Sequence, residues 1–264
     1  MGAKTVGEFQ KLFPGPKAII GMIHLPPLPG YPESKGIDHA IRQAVADLRA
    51  LEDGGADGVL IENEYDRPHR VMASPETVAA MTRICRSVVQ ESETAIVGCE
   101  ILLNDPRASI AVAGMSGARF IRTDYFVDKM TRPEYGEFAI DPEGLLEYRS
   151  QIAADKVLIF ADIQVKYAEM VEARPLRESA LLAREKGADA IVVTGNASGD
   201  APTVDDLRAV AGLGIPVLIG SGLKVGNARA LLAECQGAIV GTSLMHNQSI
   251  DADALELLMS EVRG

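Results

Sequence analysis

Tryptophan is absent from this 264-residue chain, and tyrosine and phenylalanine supply six residues each. So sparse an aromatic set excludes a stacking platform for single-stranded nucleic acid. Cations are the minority charge: 26 lysines and arginines face 37 aspartates and glutamates, for a net charge of −11. Nucleic acids and anionic bilayers both select basic surfaces, so neither is expected as a partner. Cys85, Cys99 and Cys235 are far apart and form no CxxC pair. Odd in number and set in apolar segments, they read as reduced, buried thiols. No apolar run approaches the ~20 residues needed to span a bilayer. The stretch MGAKTVGEFQKLFPG lacks the basic-then-apolar order of a secretory signal, and Val6 breaks the myristoylation pattern. A cytoplasmic protein without a transmembrane segment is therefore expected.

What is present is a loose repeat. The segments LEDGGADGVLIEN (51–63), VAGMSGARFIRTD (112–124), AREKGADAIVVTG (183–195) and LAECQGAIVGTS (232–243) share one grammar. Each reads as a helix end, a C-cap glycine, and an apolar run that closes on polar residues. The apolar runs are nearly continuous, as in strands buried on both faces. Eight such strands are predicted near 18–24, 57–62, 95–101, 118–123, 156–163, 189–194, 215–219 and 237–240. Ser74-Pro75, Asp105-Pro106 and Asp141-Pro142 are N-cap and first-turn signals for the helices between them. Thr203 with Asp206 is a capping-box variant. Eight alternating units over about 250 residues predict a single-domain TIM (β/α)8 barrel, with an open doubly wound sheet as the competitor. A short extra helix is expected over 5–13. Two long βα loops, 24–37 and 124–140, leave the carboxyl ends of strands and are candidate lids.

The carboxyl ends of barrel strands are where chemistry is sought. Two small-residue turns, Gly220-Ser221-Gly222 and Gly241-Thr242-Ser243, end the last two strands. Bare amides and hydroxyls there can hold a phosphate without any positive side chain. Asp162, Gln164 and Lys166 share one face of the fifth strand by the two-residue period. Lys166 suits a general base, a Schiff-base nucleophile or an anion clamp. Glu62, following a fully apolar strand, is a general acid or base candidate. His24 ends the first strand and could assist. Asn63, Asn104, Arg122, Gln164, Thr194 and Asn196 are candidate substrate contacts, with loop capping as the alternative role for each. The four histidines show no HxH or HxxxH spacing, so no metal ligand and no cofactor is assigned. A divalent metal stays open, because barrel ligands come from different strands.

Taken in order, IGMIHLPPLPG (20–30), DGVLIENEYDRP (57–68), LLNDP (102–106), FIR (120–122), ADIQVK (161–166), GSG (220–222) and GTSL (241–244) resemble the BtpA family, also called BtpA/SgcQ. The match spans nearly the whole chain. The resemblance implies a ribulose-phosphate-binding-type TIM barrel. The family name implies a role in photosystem I biogenesis, and other members look like companions of sugar-phosphate metabolism. The chain departs from the family pattern at Gln164 and Tyr167, where many members are expected to carry His.

Three functions compete. The first is an isomerase, epimerase or aldolase-type enzyme on a small anionic phosphorylated metabolite. The second is a non-catalytic assembly factor, and the third a metal-dependent phosphoester or nucleotide hydrolase. A homo-oligomer fits the first.

Overall fold

The computed structural model describes residues 2–197, 199–246 and 248–264. Eight parallel strands close into one barrel: β1 (Ala18–His24), β2 (Gly58–Glu62), β3 (Ile96–Glu100), β4 (Phe120–Thr123), β5 (Leu158–Ile163), β6 (Ala190–Val193), β7 (Val217–Ile219) and β8 (Gly237–Val240). Each pairs with its sequence neighbours, and β8 returns to β1 in register from Ala18↔Gly237 to Gly21↔Val240. All eight predicted strands are present, within two residues at each end.

The helices are α1 (Gly2–Leu12), α2 (Ile37–Asp53), α3 (Pro75–Glu91), α4 (Pro106–Ser116), α5 (Pro142–Gln151), α6 (Leu176–Glu185), α7 (Val204–Val210), α8 (Ala228–Leu232) and α9 (Ala252–Arg263). The cap signals act unequally. Ser74 and Asp105 accept from the Thr77 and Ala108 amides, and Thr203 with Asp206 closes both arms of a capping box. Asp141 occupies its cap position without a side-chain hydrogen bond.

The repeat has a mechanical reason in the GAD sequences. Asp57 and Asp189 stand just before β2 and β6. The Asp57 carboxylate accepts the Ile19 amide at 2.8 Å, and the Asp189 carboxylate accepts the Ile159 amide at 2.9 Å. Each clasps the preceding strand at the point where barrel pairing begins. The fourth repeat differs from its expected role. Gly237 is no helix cap but the first residue of β8, and a Cβ there would lie 2.2 Å from the Ala18 carbonyl oxygen. Closure of β8 on β1 leaves no space for a side chain.

The period of two divides the core. Ile19, Ile23, Val59, Ile61, Ile121, Ile159 and Ile191 face the helices. Ile20, Met22, Leu60, Phe120, Phe160, Val192, Leu218 and Ile239 fill the barrel. Phe9 of α1 and Phe13 join this inner set, with Phe9 at 5.7 Å from Phe160 and Phe13 at 6.1 Å from Phe120, between ring centres. The amino-terminal end of the barrel is thus filled by aromatic side chains, and the open end lies at the strand carboxyl termini.

The two long loops do not behave alike. After β1, Leu25 and Leu28 are fully buried, and the Leu28 amide donates to Asp66 at 2.8 Å. The base of this loop is thus pinned to the β2 loop. The 124–140 segment is not a plain loop. Met130–Arg132 and Gly136–Phe138 form an antiparallel hairpin, and Glu169–Met170 adds a third strand beside Met130. Leu103, Tyr125, Met130, Phe138 and Val165 give this canopy its own apolar core, with Tyr125 stacked on Phe138 at 4.8 Å. A three-residue turn, 133–135, joins the two strands, and φ is +80° at Gly136, the residue after it.

Candidate functional site

Continuing the inward period by one step from the barrel core reaches the mouth. His24, Glu62, Glu100, Arg122 and Asp162 are the next inward residues of β1 to β5, and Thr194, Gly220 and Gly241 follow β6 to β8. In-register pairing sets His24 beside Glu62 and Glu62 beside Glu100. This polar ring floors a cleft of about 520 Å³. Loops add Glu64, Arg67, His69, Asp124, Lys166 and Tyr167, and the canopy adds Arg132 and Tyr135.

Arg122 organises the floor. Its Nε and Nη2 donate to the two oxygens of Asp162, each at 2.8 Å, and Glu100 lies 3.8 Å from Nε. Such a fork fixes both partners in one plane. Arg122 also reaches across the barrel: Nη2 lies 3.1 Å from where a Cβ on Gly220 would stand. Burial works against the Arg122 charge, and the Asp162 carboxylate more than restores it, so its pKa is raised.

Three other carboxyls at the mouth are driven toward neutrality. Burial, with the Glu64 charge, pushes Glu62 up to about 8, although Arg122 and Lys166 oppose it. Burial raises Glu100 well above the carboxylate range against the pull of Arg122. Burial and the Asp162 charge raise Asp124 to about 7. His24 moves the other way, to about 4, through burial and the charges of Arg122 and Lys166. At neutral pH, Glu62 is therefore mainly protonated and His24 neutral, and their 3.9 Å approach is no ion pair. Among the described residues, no group of three or more His, Cys, Asp or Glu side chains is arranged to hold a metal ion.

The two small-residue turns open on the same cleft, which Gly220, Ser221, Gly222, Gly241, Thr242 and Ser243 all line. The backbone amides of Ser221, Gly222, Leu223, Thr242 and Ser243 donate to no other described residue. Ser221, Gly222 and Leu223 are buried or half-buried, where amides are rarely left unpaired, so they mark a place where an acceptor fits, whereas Thr242 and Ser243 are exposed. The hydroxyls are less free. Ser221 Oγ accepts from the Gly195 amide at 3.1 Å and donates to the Asp200 carbonyl at 2.7 Å. Ser243 Oγ donates to the Leu223 carbonyl at 2.7 Å. Gly222, with φ +71°, admits no Cβ, because the Ala201 amide nitrogen is 2.2 Å from where it would be. The β6 loop therefore packs directly on the β7 turn.

A model of the BtpA family matches residues 15–264. The chain belongs to the BtpA family. A protein of Archaeoglobus fulgidus is 35% identical over 94% of this chain and 99% of its own length. Photosystem I biogenesis protein BtpA of Synechocystis is 34% identical over 88% of this chain and 82% of its own length. Among solved structures, this BtpA-family barrel is similar to thiamine phosphate pyrophosphorylase from Pyrococcus furiosus, with a TM-score of 0.61 at 20% identity, covering 94% of this chain and 96% of that one. It is also similar to N-(5'-phosphoribosyl)anthranilate isomerase from the same organism, with a TM-score of 0.58 at 13% identity, covering 94% and 98%. Identities this low bear on the fold alone.

In this BtpA-family chain, the cleft gathers His24, Glu62, Arg122 and Lys166 with both glycine turns. Other sequence-predicted residues stand elsewhere. Asp162 lies beneath the cleft, bound to Arg122. Gln164 does not share its face with Asp162: φ of +47° ends the strand there, and the side chain donates to the Arg174 carbonyl and Ser179 Oγ. That bend is what returns Lys166 to the mouth. Asn63 accepts the Leu102 amide at 2.8 Å and donates to Asp66, tying the β2 loop to the β3 loop. Asn104 accepts from Thr123 at 3.3 Å, and Asn196 is exposed away from the cleft. Thr194 Oγ1 is buried without a partner beside Gly220. Sequence reasoning left Glu100, Arg132 and Tyr135 unassigned. Glu100 was within its reach, since it follows Gly98 by the same two-residue step that placed Glu62. No helix among the described residues is long and apolar enough to cross a membrane.

Proposed function

We propose that this BtpA-family protein is an enzyme that binds a small phosphorylated metabolite and moves a proton next to its carbonyl. The carrying observation is one cleft with two chemically distinct halves. Unpaired amides of the β7 and β8 turns line one half, and carboxyls balanced near neutrality line the other. A phosphate on those amides would need no cation, which suits an acidic chain. Two barrels of similar fold support a phosphorylated ligand through their names, which refer to thiamine phosphate and a phosphoribosyl compound.

The division of labour follows from protonation. Asp124, with a pKa of about 7, supplies a carboxylate fraction that takes the proton from the carbon beside the carbonyl. Glu62 holds its proton and delivers it to the carbonyl oxygen, giving an enediol. The reverse pair of transfers, on the neighbouring carbon, yields the isomer. Asp162 is a positioning residue, since its role is to aim Arg122.

Incubation with a panel of sugar phosphates in deuterium oxide tests the proposal. Deuterium is expected at one carbon-bound position of a bound phosphoester, and loss of exchange is expected in Asp124→Asn. Tight phosphoester binding without exchange would remove the catalytic reading. Co-purification at fixed stoichiometry with a larger complex, again without exchange, would move the assignment to an assembly role.

A further inference from the structure

The basic residues of the cleft are not equally committed. Arg122 is held by Asp162, and Arg67 is paired with Glu64. Lys166 makes no hydrogen bond or ion pair within 4.0 Å of its ammonium with any described residue, although it lines the cleft half-buried. Arg132 also lines it. Its Nε is buried without a hydrogen-bond partner, Glu134 lies 4.0 Å away on an exposed side chain, and the guanidinium sits 5.5 Å from the Tyr135 ring centre and near the Tyr125 hydroxyl. A buried guanidinium N–H with no acceptor is costly unless a ligand supplies one.

The two cations share a support. Arg132 ends the first canopy strand, which pairs with Glu169–Met170, three residues beyond Lys166. Met130 and Val165, their near neighbours in sequence, lie in the same small apolar core. The pair is therefore held by packed β-structure and not by a loose loop. The canopy springs from the β4 and β5 side of the mouth, whereas the phosphate turns end β7 and β8. One cleft is therefore lined both by the β7 and β8 turns and by Arg132 and Lys166.

We infer that the substrate carries two anionic groups, a phosphate at the β7/β8 turns and a second carboxylate or phosphate held by Arg132 and Lys166. This inference rests on the phosphate-binding reading above and adds the chemical class of the substrate's far end. Arg132 is the specificity-determining residue, because its planar fork can grip an oxyanion at two points and a lysine cannot.

Calorimetric titration of the full chain with three probes tests it: glycerol 3-phosphate, 3-phosphoglycerate and ribulose 1,5-bisphosphate. The wild type is expected to bind at least one of the two doubly anionic probes roughly 10- to 100-fold more tightly than glycerol 3-phosphate, the range of one charge-assisted hydrogen bond. Whichever probe gains most identifies the second group as carboxylate or phosphate. Arg132→Met is expected to erase that gain while leaving glycerol 3-phosphate affinity within twofold, and Arg132→Lys is expected to recover it only in part. Equal wild-type affinity for all three probes overturns the inference and leaves the phosphate site standing. Binding of none of them overturns both. The wild-type comparison needs no variant to fold, and an unchanged circular dichroism spectrum qualifies each variant that is used.

Discussion

The carboxylate of Asp162 looks like a base in sequence and is a strut in the structure. It is fully buried and both of its oxygens are occupied by Arg122. Removing one partner of such a pair strands a charge in a low-dielectric floor, which costs about 3–5 kcal/mol. Asp162→Ala is therefore expected to lower the urea unfolding free energy by about that amount, leaving Arg122 with Glu100 at 3.8 Å. A variant as stable as the wild type would mean that Arg122 finds another acceptor. Lys166 is the opposite case, since no described partner depends on it.

Among the elements, cap residues with similar sequence signals have different weights. Asp105 accepts the Ala108 amide at the head of α4 and also the Ala73 amide from the loop between β2 and α3. Asp141, in the same Asp-Pro context before α5, accepts neither kind of bond. Asp105→Ala is expected to cost about 1–2 kcal/mol or somewhat more, and Asp141→Ala only a few tenths, both read from thermal unfolding. The canopy hairpin was the element least legible in sequence. Its strands are three residues long, too short for a period-two signal, and its core is shared with Leu103 and Val165 from other loops. The barrel strands were legible because each is an apolar run closed by a glycine-bearing turn and a polar end.

For the whole molecule, the buried mouth writes itself into stability against pH. Glu62 and Asp124 have native pKa values of about 8 and 7, above their ordinary values, so the native state holds these protons more tightly than the unfolded chain. Their contribution is complete below about pH 4 and is lost as pH rises toward 8. His24 and His69 are lowered to about 4, by burial first in each case. Their contribution is complete above about pH 6.5 and is lost as pH falls through 4. Between pH 6.5 and 8 the histidine effect is flat and the carboxyl effect still falls. Urea midpoints are expected to decline over that interval in the wild type and to decline less steeply in the Glu62→Gln, Asp124→Asn double variant, where Glu100 remains. An identical decline in both would assign the pH sensitivity to other groups, with Glu100 of the same ring first among them.

Sequence by itself determined the eight strands, the barrel class and which residues stand at the strand ends, because local periodicity and turn chemistry act over a few residues. It also marked both glycine turns, since small residues after an apolar run are visible without any partner. Only the tertiary structure decided which polar groups are consumed by one another. Arg122 and Asp162 lie 40 positions apart, Asn63 and Leu102 39, Gly195 and Ser221 26. Those bonds depend on strand register and barrel closure, which set side chains a few ångströms apart and follow from the packing of the whole chain.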